Sequence, residues 1–387
     1  MRTAAPAGTA SQLSAPDGEG RWILSVLAKR TYDFRTGRCT LADEQKPLVI
    51  EPVCDEATGT VLEADTDLWP LKPLTDVVVN GSAYNHRSVP MFAIGVRVDR
   101  TSKLVRVSGD RRASLGHHGQ ILFSTPTTLE KLRISYAHAY GGRDAVTEAA
   151  YGNPVEALRP YLPPEVSDSQ ISAASPFVYP RNSIGCGYVV ERTEAAIEAA
   201  RLPNLEHPED LLTPERLVAG DTGRWPLQPV PASLGWLDYG TFPRMAWLGV
   251  IPDHDETIDA RSVGEVRLGY AASDVLKDKK PDAPLTLLGA NGASLGLRAP
   301  HLKGGEEVEL LNVSRSREEI RFRLPAERPE LWVDGRNGKL APTTPVIHTV
   351  VIEPDENRVT VTWRGSAPGL RAYGSDELAK MPFAALW

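Results

Sequence analysis

The segment Val346–Arg364, VIHTVVIEPDENRVTVTWR, has the pattern of a complete β-hairpin. Val346–Glu353 forms one arm, Pro354-Asp355-Glu356-Asn357 supplies turn chemistry, and Arg358–Arg364 returns. In the return arm Val359, Val361 and Trp363 fall on one face and Thr360, Thr362 and Arg364 on the other. That period of two belongs to a strand, because successive side chains leave a strand on opposite sides.

Working outward, the same alternation recurs. Ile320, Phe322 and Leu324 alternate with Arg321 and Arg323. Far upstream, Phe92, Ile94, Val96 and Val98 share one face, and Lys103–Val107 can pair back through the polar turn Asp99–Ser102. Between these regions, over Gly141–Ala260, the alternation fades and prolines crowd in. Two short helices are expected there, Glu191–Arg201 and Pro208–Ala219, the second from Thr213-Pro214 as N-cap and first helical residue. The expected class is mainly β, α+β at most: antiparallel sheets in two β-rich regions joined by a loop-rich middle. The boundaries expected are a disordered tail over 1–20 and a single large unit over 21–370. That unit divides into β region 21–140, loop and helix region 141–260 and β region 261–370, with a C-terminal segment over 371–387.

Composition agrees. Thirty-two glycines and 32 prolines in 387 residues argue against a helical bundle, while 41% apolar residues are enough to bury a core. A net charge of −7 disfavours nucleic acid as a partner, and no apolar run approaches the ~18 residues of a membrane span, so no membrane insertion is expected. Met1–Gly20 is small and Pro/Gly-rich, without the apolar core of a signal peptide. Cys39, Cys54 and Cys186 are odd in number and form no C-x-x-C pair, which reads as free thiols and a cytoplasmic protein.

The chemical motifs are weak. Gly292-Ala293-Ser294-Leu295-Gly296 matches G-x-S-x-G, and Asp334 and His348 follow in the order a serine hydrolase requires. Leu285–Leu288 supplies a candidate strand before it, but Pro300 and Gly304-Gly305 prevent the helix that should follow. Gly304-Gly305-Glu306-Glu307 is similar to the GGEEF signature of diguanylate cyclases, yet Val308 replaces the phenylalanine, and a turn opening the strand Glu307–Leu311 explains it better. Eight scattered histidines lack metal-ligand spacing, Asp253–Glu256 reads as a solvated acidic patch, and no phosphate-binding glycine loop is present. No catalytic, cofactor-binding or metal residues are expected.

The segments without catalytic meaning match a family in order. They begin at Leu24–Phe34 and Leu41–Gln45, and are strongest at Asp65–Leu68, Lys72–Val77 and Asn80–Tyr84. They continue at Tyr140-Gly141-Gly142, Asn182–Gly187, Leu202–Glu206, Trp225-Pro226, Phe242-Pro243-Arg244, Leu302–Glu307 and Trp363-Arg364-Gly365. The chain resembles a bacterial family of type VI secretion accessory proteins built on a domain of unknown function. Tyr140 stands where that family commonly has Phe, and Ser183 where it has Pro. The resemblance implies a non-enzymatic effector-loading adaptor or chaperone. Such a protein binds an effector, or its PAAR-type domain, in the cytoplasm and aids loading on the secretion spike.

For partner binding, Trp225, Trp236, Tyr239, Phe242, Arg244 and Trp247 stand out as residue types that dominate interfaces. The same aromatics would equally plug the join between the two β regions. A serine hydrolase using Ser294 and a carbohydrate-binding β module are the rival readings.

Overall fold

The computed structural model describes residues 4–16, 21–69, 71–161, 164, 168–173, 175–239, 244, 290–335 and 338–387. The longer strands are β1 (Ala10–Pro16), β2 (Trp22–Asp33), β3 (Thr75–Val79), β4 (Met91–Val98) and β5 (Thr101–Ser108). After a short β6 (Leu205–Glu206) come β7 (Arg298–Ala299), β8 (Glu307–Leu311), β9 (Glu319–Arg323), β10 (Glu330–Asp334), β11 (Val346–Glu353) and β12 (Arg358–Pro368). The protein is mainly β, as its alternation predicts.

The two β-rich regions do not build separate sheets. Among the described residues, one sheet of seven strands runs β1-β2-β12-β11-β3-β7, with Thr40–Leu41 also pairing onto β2. The long N-terminal β2 therefore pairs antiparallel with β12, near the other end of the chain, from Ile23↔Pro368 to Asp33↔Arg358. A second sheet runs β6-β5-β4-β8-β9, again mixing strands from both regions. Within these two sheets the pairing is antiparallel except where β3 lies parallel to β11, Thr349 opposite Asp76 through Ile352 opposite Val79.

Register sorts the seven-stranded sheet into two unlike faces. In-register partners share a face, so Ala28, Tyr32, Trp363, Val361, Val359, Ile347, Val350, Ile352, Val77 and Val79 line one side. That side packs on Ile94, Val96, Val105, Val308, Leu310 and Phe322 of the five-stranded sheet in one core. Phe34 stacks on Phe322 across it, with ring centroids 4.2 Å apart. The opposite face carries Lys29, Thr31, Thr360, Thr362, Arg364, Thr349 and Asp76, and these are buried as well. Asp67 meets Lys29 and Thr362 there, Lys72 meets Thr349 and Asp76, and Gln45 and Lys46 meet Thr31. Alternating polarity thus marks an apolar core on one side and a buried polar layer on the other, not core against solvent.

The hairpin holds as read, with Asn357 at φ 55° closing its turn. One irregularity matters: the register slips between Ile347 and Thr349, so His348 occupies a bulge.

The middle of the chain forms a satellite core around Tyr140, Tyr179, Tyr188, Ile197, Leu212 and Leu217. Its helices are α1 (Ala145–Tyr151), α2 (Pro154–Leu158), α3 (Asp168–Ala173) and α4 (Glu194–Ala199). The last lies inside the expected Glu191–Arg201. The helix expected over Pro208–Ala219 is reduced to a 3-10 turn, Pro214–Arg216, and Thr213 makes no side-chain cap bond. The backbone there is engaged elsewhere: Ala219 N–H donates to Val189 O and Leu212 N–H to Glu206 Oε1. Two helices absent from the sequence expectation, α1 and α2, carry cap signals, since Asp144 accepts from Thr147 N–H and Asn153 precedes Pro154.

Within the segment expected to be a disordered tail, residues 10–16 are strand β1. Its seven residues pair with β2, and Gln12 Nε2 donates to Leu378 O and Met381 O. The poor composition of this segment is offset by the ladder that β2 already presents. Near the C-terminus α5 (Ser375–Leu378) leads to Ala384–Leu386, which pairs with β10. Among the described residues, no helix is long and apolar enough to cross a membrane.

Candidate functional site

The polar layer is built from the most distinctive motifs. Asp65 follows the short strand Leu62–Ala64, and its carboxylate accepts from Arg244 Nη2 at 2.9 Å, Trp69 Nε1 at 3.1 Å and the Tyr239 hydroxyl. Both side chains of the Asp65–Arg244 pair are wholly buried. Arg244 also donates to Leu237 O and lies 4.4 Å from the Tyr239 ring. Burial alone would raise the Asp65 carboxyl, but the Arg244 and Lys72 cations and the two hydrogen bonds outweigh it and hold it below the usual carboxylate value.

Asp76, on β3, accepts from Lys72 Nζ at 2.8 Å, Asn291 Nδ2 at 2.8 Å, Gly292 N–H at 2.9 Å and Ala293 N–H at 3.1 Å. Asp67 pairs with Lys29 at 2.7 Å and accepts from the Thr362 hydroxyl. Three motif aspartates thus clamp three distant stretches of chain to one sheet face. Gly292 is required here, since a Cβ would lie 2.4 Å from Arg244 Nη1 and 2.5 Å from Asp65 Oδ2.

Two further motifs meet in the satellite core. Tyr140-Gly141 bridges in parallel to Cys186-Gly187, and Asn182 Nδ2 donates to Tyr136 O and Tyr140 O. Gly142 has φ 87°, and a Cβ on it would lie 2.2 Å from Gly185 O. In the Leu202–Glu206 motif, Glu206 pairs with Arg111 at 2.8 Å, and Asn204 Nδ2 donates to Ser108 O.

Ser294 is wholly buried. Its hydroxyl lies 2.7 Å from Lys103 Nζ and 2.8 Å from the Tyr136 hydroxyl, and it donates to Ser233 O. His348 is engaged elsewhere: Nε2 lies 3.1 Å from Trp69 O and Nδ1 2.9 Å from Thr349 Oγ1. Asp334 sits on β10 opposite Leu340. The order Ser, Asp, His in the sequence is therefore not assembled as a triad. The strand Arg298–Ala299 follows the serine where an elbow requires a helix; Leu285–Leu288 lies outside the described residues. Lys103 is a functional-looking cation outside every motif, and its signal in the sequence is phase: it alternates with Val105 and Val107 and so points inward. Burial, with Arg298 nearby, pushes its ammonium down to about 7.

Of the residues expected to bind a partner, Trp236, Tyr239 and Arg244 are brought together around Asp65 and Gly292. Trp236 is 8% exposed and Arg244 0%, and Tyr239 is half-buried. Trp225 is half-buried on the satellite core, where it packs against Arg181 and Tyr179. Phe242 and Trp247 lie outside the described residues, as does Asp253–Glu256. Cys39, Cys54 and Cys186 are free and half-buried, and burial raises the thiols of Cys39 and Cys186 to about 12 and about 11. Among the described residues, no group of three His, Cys, Asp or Glu side chains is placed to hold a metal ion.

No curated protein and no solved structure matches the chain. A family model described as "Uncharacterized protein conserved in bacteria (DUF2169)" matches residues 19–364, from the end of the N-terminal segment to Arg364 on β12. The chain belongs to this bacterial family, DUF2169.

Proposed function

We propose that the protein is a non-enzymatic adaptor or chaperone of type VI secretion. It holds an effector, or the effector's PAAR-type domain, in the cytoplasm and helps load it on the secretion spike. The observation that carries this reading is how the motif residues are used. Asp65, Asp67, Lys72, Asp76, Asn182 and Glu206 are buried and engaged with other parts of the same chain. Such residues build a stiff scaffold, which suits a protein that presents a surface to a client. Ser294, enclosed by Lys103, Tyr136 and Ser233 O, favours this reading over the hydrolase. The burial of Trp236 favours it over a sugar-stacking platform.

Pull-down with the products of neighbouring genes tests the proposal: the tagged chain retains an effector or PAAR-type protein. Labelling of Ser294 by a fluorophosphonate probe, with no client retained, would establish the hydrolase instead.

A further inference from the structure

Arg181 is 4% exposed, yet none of its three guanidinium nitrogens makes a hydrogen bond. Buried charge without a partner is costly, and native proteins rarely leave it so. The guanidinium centre lies 5.1 Å from the Trp225 ring. A cation–π contact covers one face of the group but satisfies none of its five N–H donors. Tyr179, edge-on to Trp225 at 6.5 Å, directs its hydroxyl proton to Pro229 O, and its oxygen is the polar group beside the Arg181 cation, close enough to feel it but outside hydrogen-bond geometry.

Asp210 and Asp221, whose charges act on the tyrosines of this core, are committed. Asp210 accepts from Arg216 Nη1 at 2.6 Å and Val230 N–H at 2.9 Å, and Asp221 caps the 3-10 helix Thr222–Leu227 by accepting from Gly223 N–H. That helix carries Trp225, half-buried over Arg181, and Leu227, 52% exposed.

We propose that Arg181 is a receptor for a carboxylate carried by a bound protein, an acidic side chain or a chain end, reached by displacing the Trp225 cover. The charge argues for this occupant. A single guanidinium among tyrosines matches one planar carboxylate with two parallel hydrogen bonds. A phosphate dianion needs further cations, and Arg216 is already engaged with Asp210. Trp225 and Leu227 would meet the partner first, as apolar contacts around a buried charged pair. The proposal rests on the adaptor reading and names the chemistry that its client brings.

The test uses the full chain, wild type and Arg181→Met. Thermal unfolding is followed in sodium acetate against sodium chloride at matched ionic strength. Acetate is expected to raise the wild-type midpoint and leave the variant unchanged. In chloride the variant is expected to unfold at or above the wild-type temperature, because methionine needs no counter-charge. An equal acetate response, or a large fall in the variant's midpoint, overturns the proposal.

Client pull-down is the second readout, with retention expected to fall at least tenfold in the folded variant. If the variant keeps its client in full, the carboxylate proposal fails and the adaptor reading stands. If the wild type retains no client, the adaptor reading fails, and with it the assignment of the carboxylate to a client.

Discussion

Arg244 reaches Asp65 across 179 residues of chain, at 2.9 Å, with both side chains sealed from solvent. Removing one partner leaves the other charge buried alone, so Arg244→Met is expected to cost about 3–5 kcal/mol. Denaturant unfolding of Arg244→Met, Asp65→Leu and the double variant checks this. The double variant is expected to recover much of the loss, and simple addition of the two single losses would contradict it.

Lys103 gives a pH signature. Its ammonium titrates near 7 in the folded chain, against about 10.4 when unfolded. Below pH 7 both states are charged and Lys103 adds no pH dependence. Between about 7 and 10 the unfolded state holds the extra proton, so stability rises with pH. Lys103→Met is expected to flatten that rise in denaturant titrations at pH 7 and pH 9.5.

His348 acts in the opposite pH range. Burial, followed by Lys72, Arg364 and His301, holds its imidazole well below the ordinary value, so it is neutral when folded. The unfolded state gains a proton as pH falls below about 6.5, and stability is lost with it. His348→Asn is expected to lose less stability than wild type between pH 7.5 and 5.5. A parallel decline in both proteins would assign the acid sensitivity elsewhere.

Gly292→Ala tests the clamp without touching a charge. The added methyl meets Arg244 and Asp65 inside ordinary contact distance, which predicts a loss of about 1–3 kcal/mol. Ala at Gly374, which has open space around it and an ordinary φ of -74°, is the control for losing a glycine without a clash.

The strands were legible because alternation reports pleat geometry directly: β11, β12, β4, β8 and β9 follow from it. The joining of the two β regions was not, since nothing local in Trp22–Asp33 says that its partner is Arg358–Pro368. Burial of the polar face was equally hidden, because Thr362 looks solvent-facing until Asp67 meets it, and Thr31 until Gln45 and Lys46 do. Trp236 and Arg244 have interface composition, but Asp65, far away in sequence, holds Arg244 inside. Lys103 and Arg181 carried the subtler signals, a cation in phase with valines and an arginine amid tyrosines.

The most direct measurement is size-exclusion chromatography of the purified chain with the PAAR-type protein or effector encoded beside it. The adaptor account predicts a stable, co-eluting complex. It is contradicted if a soluble, folded chain elutes unchanged in the presence of every such neighbour.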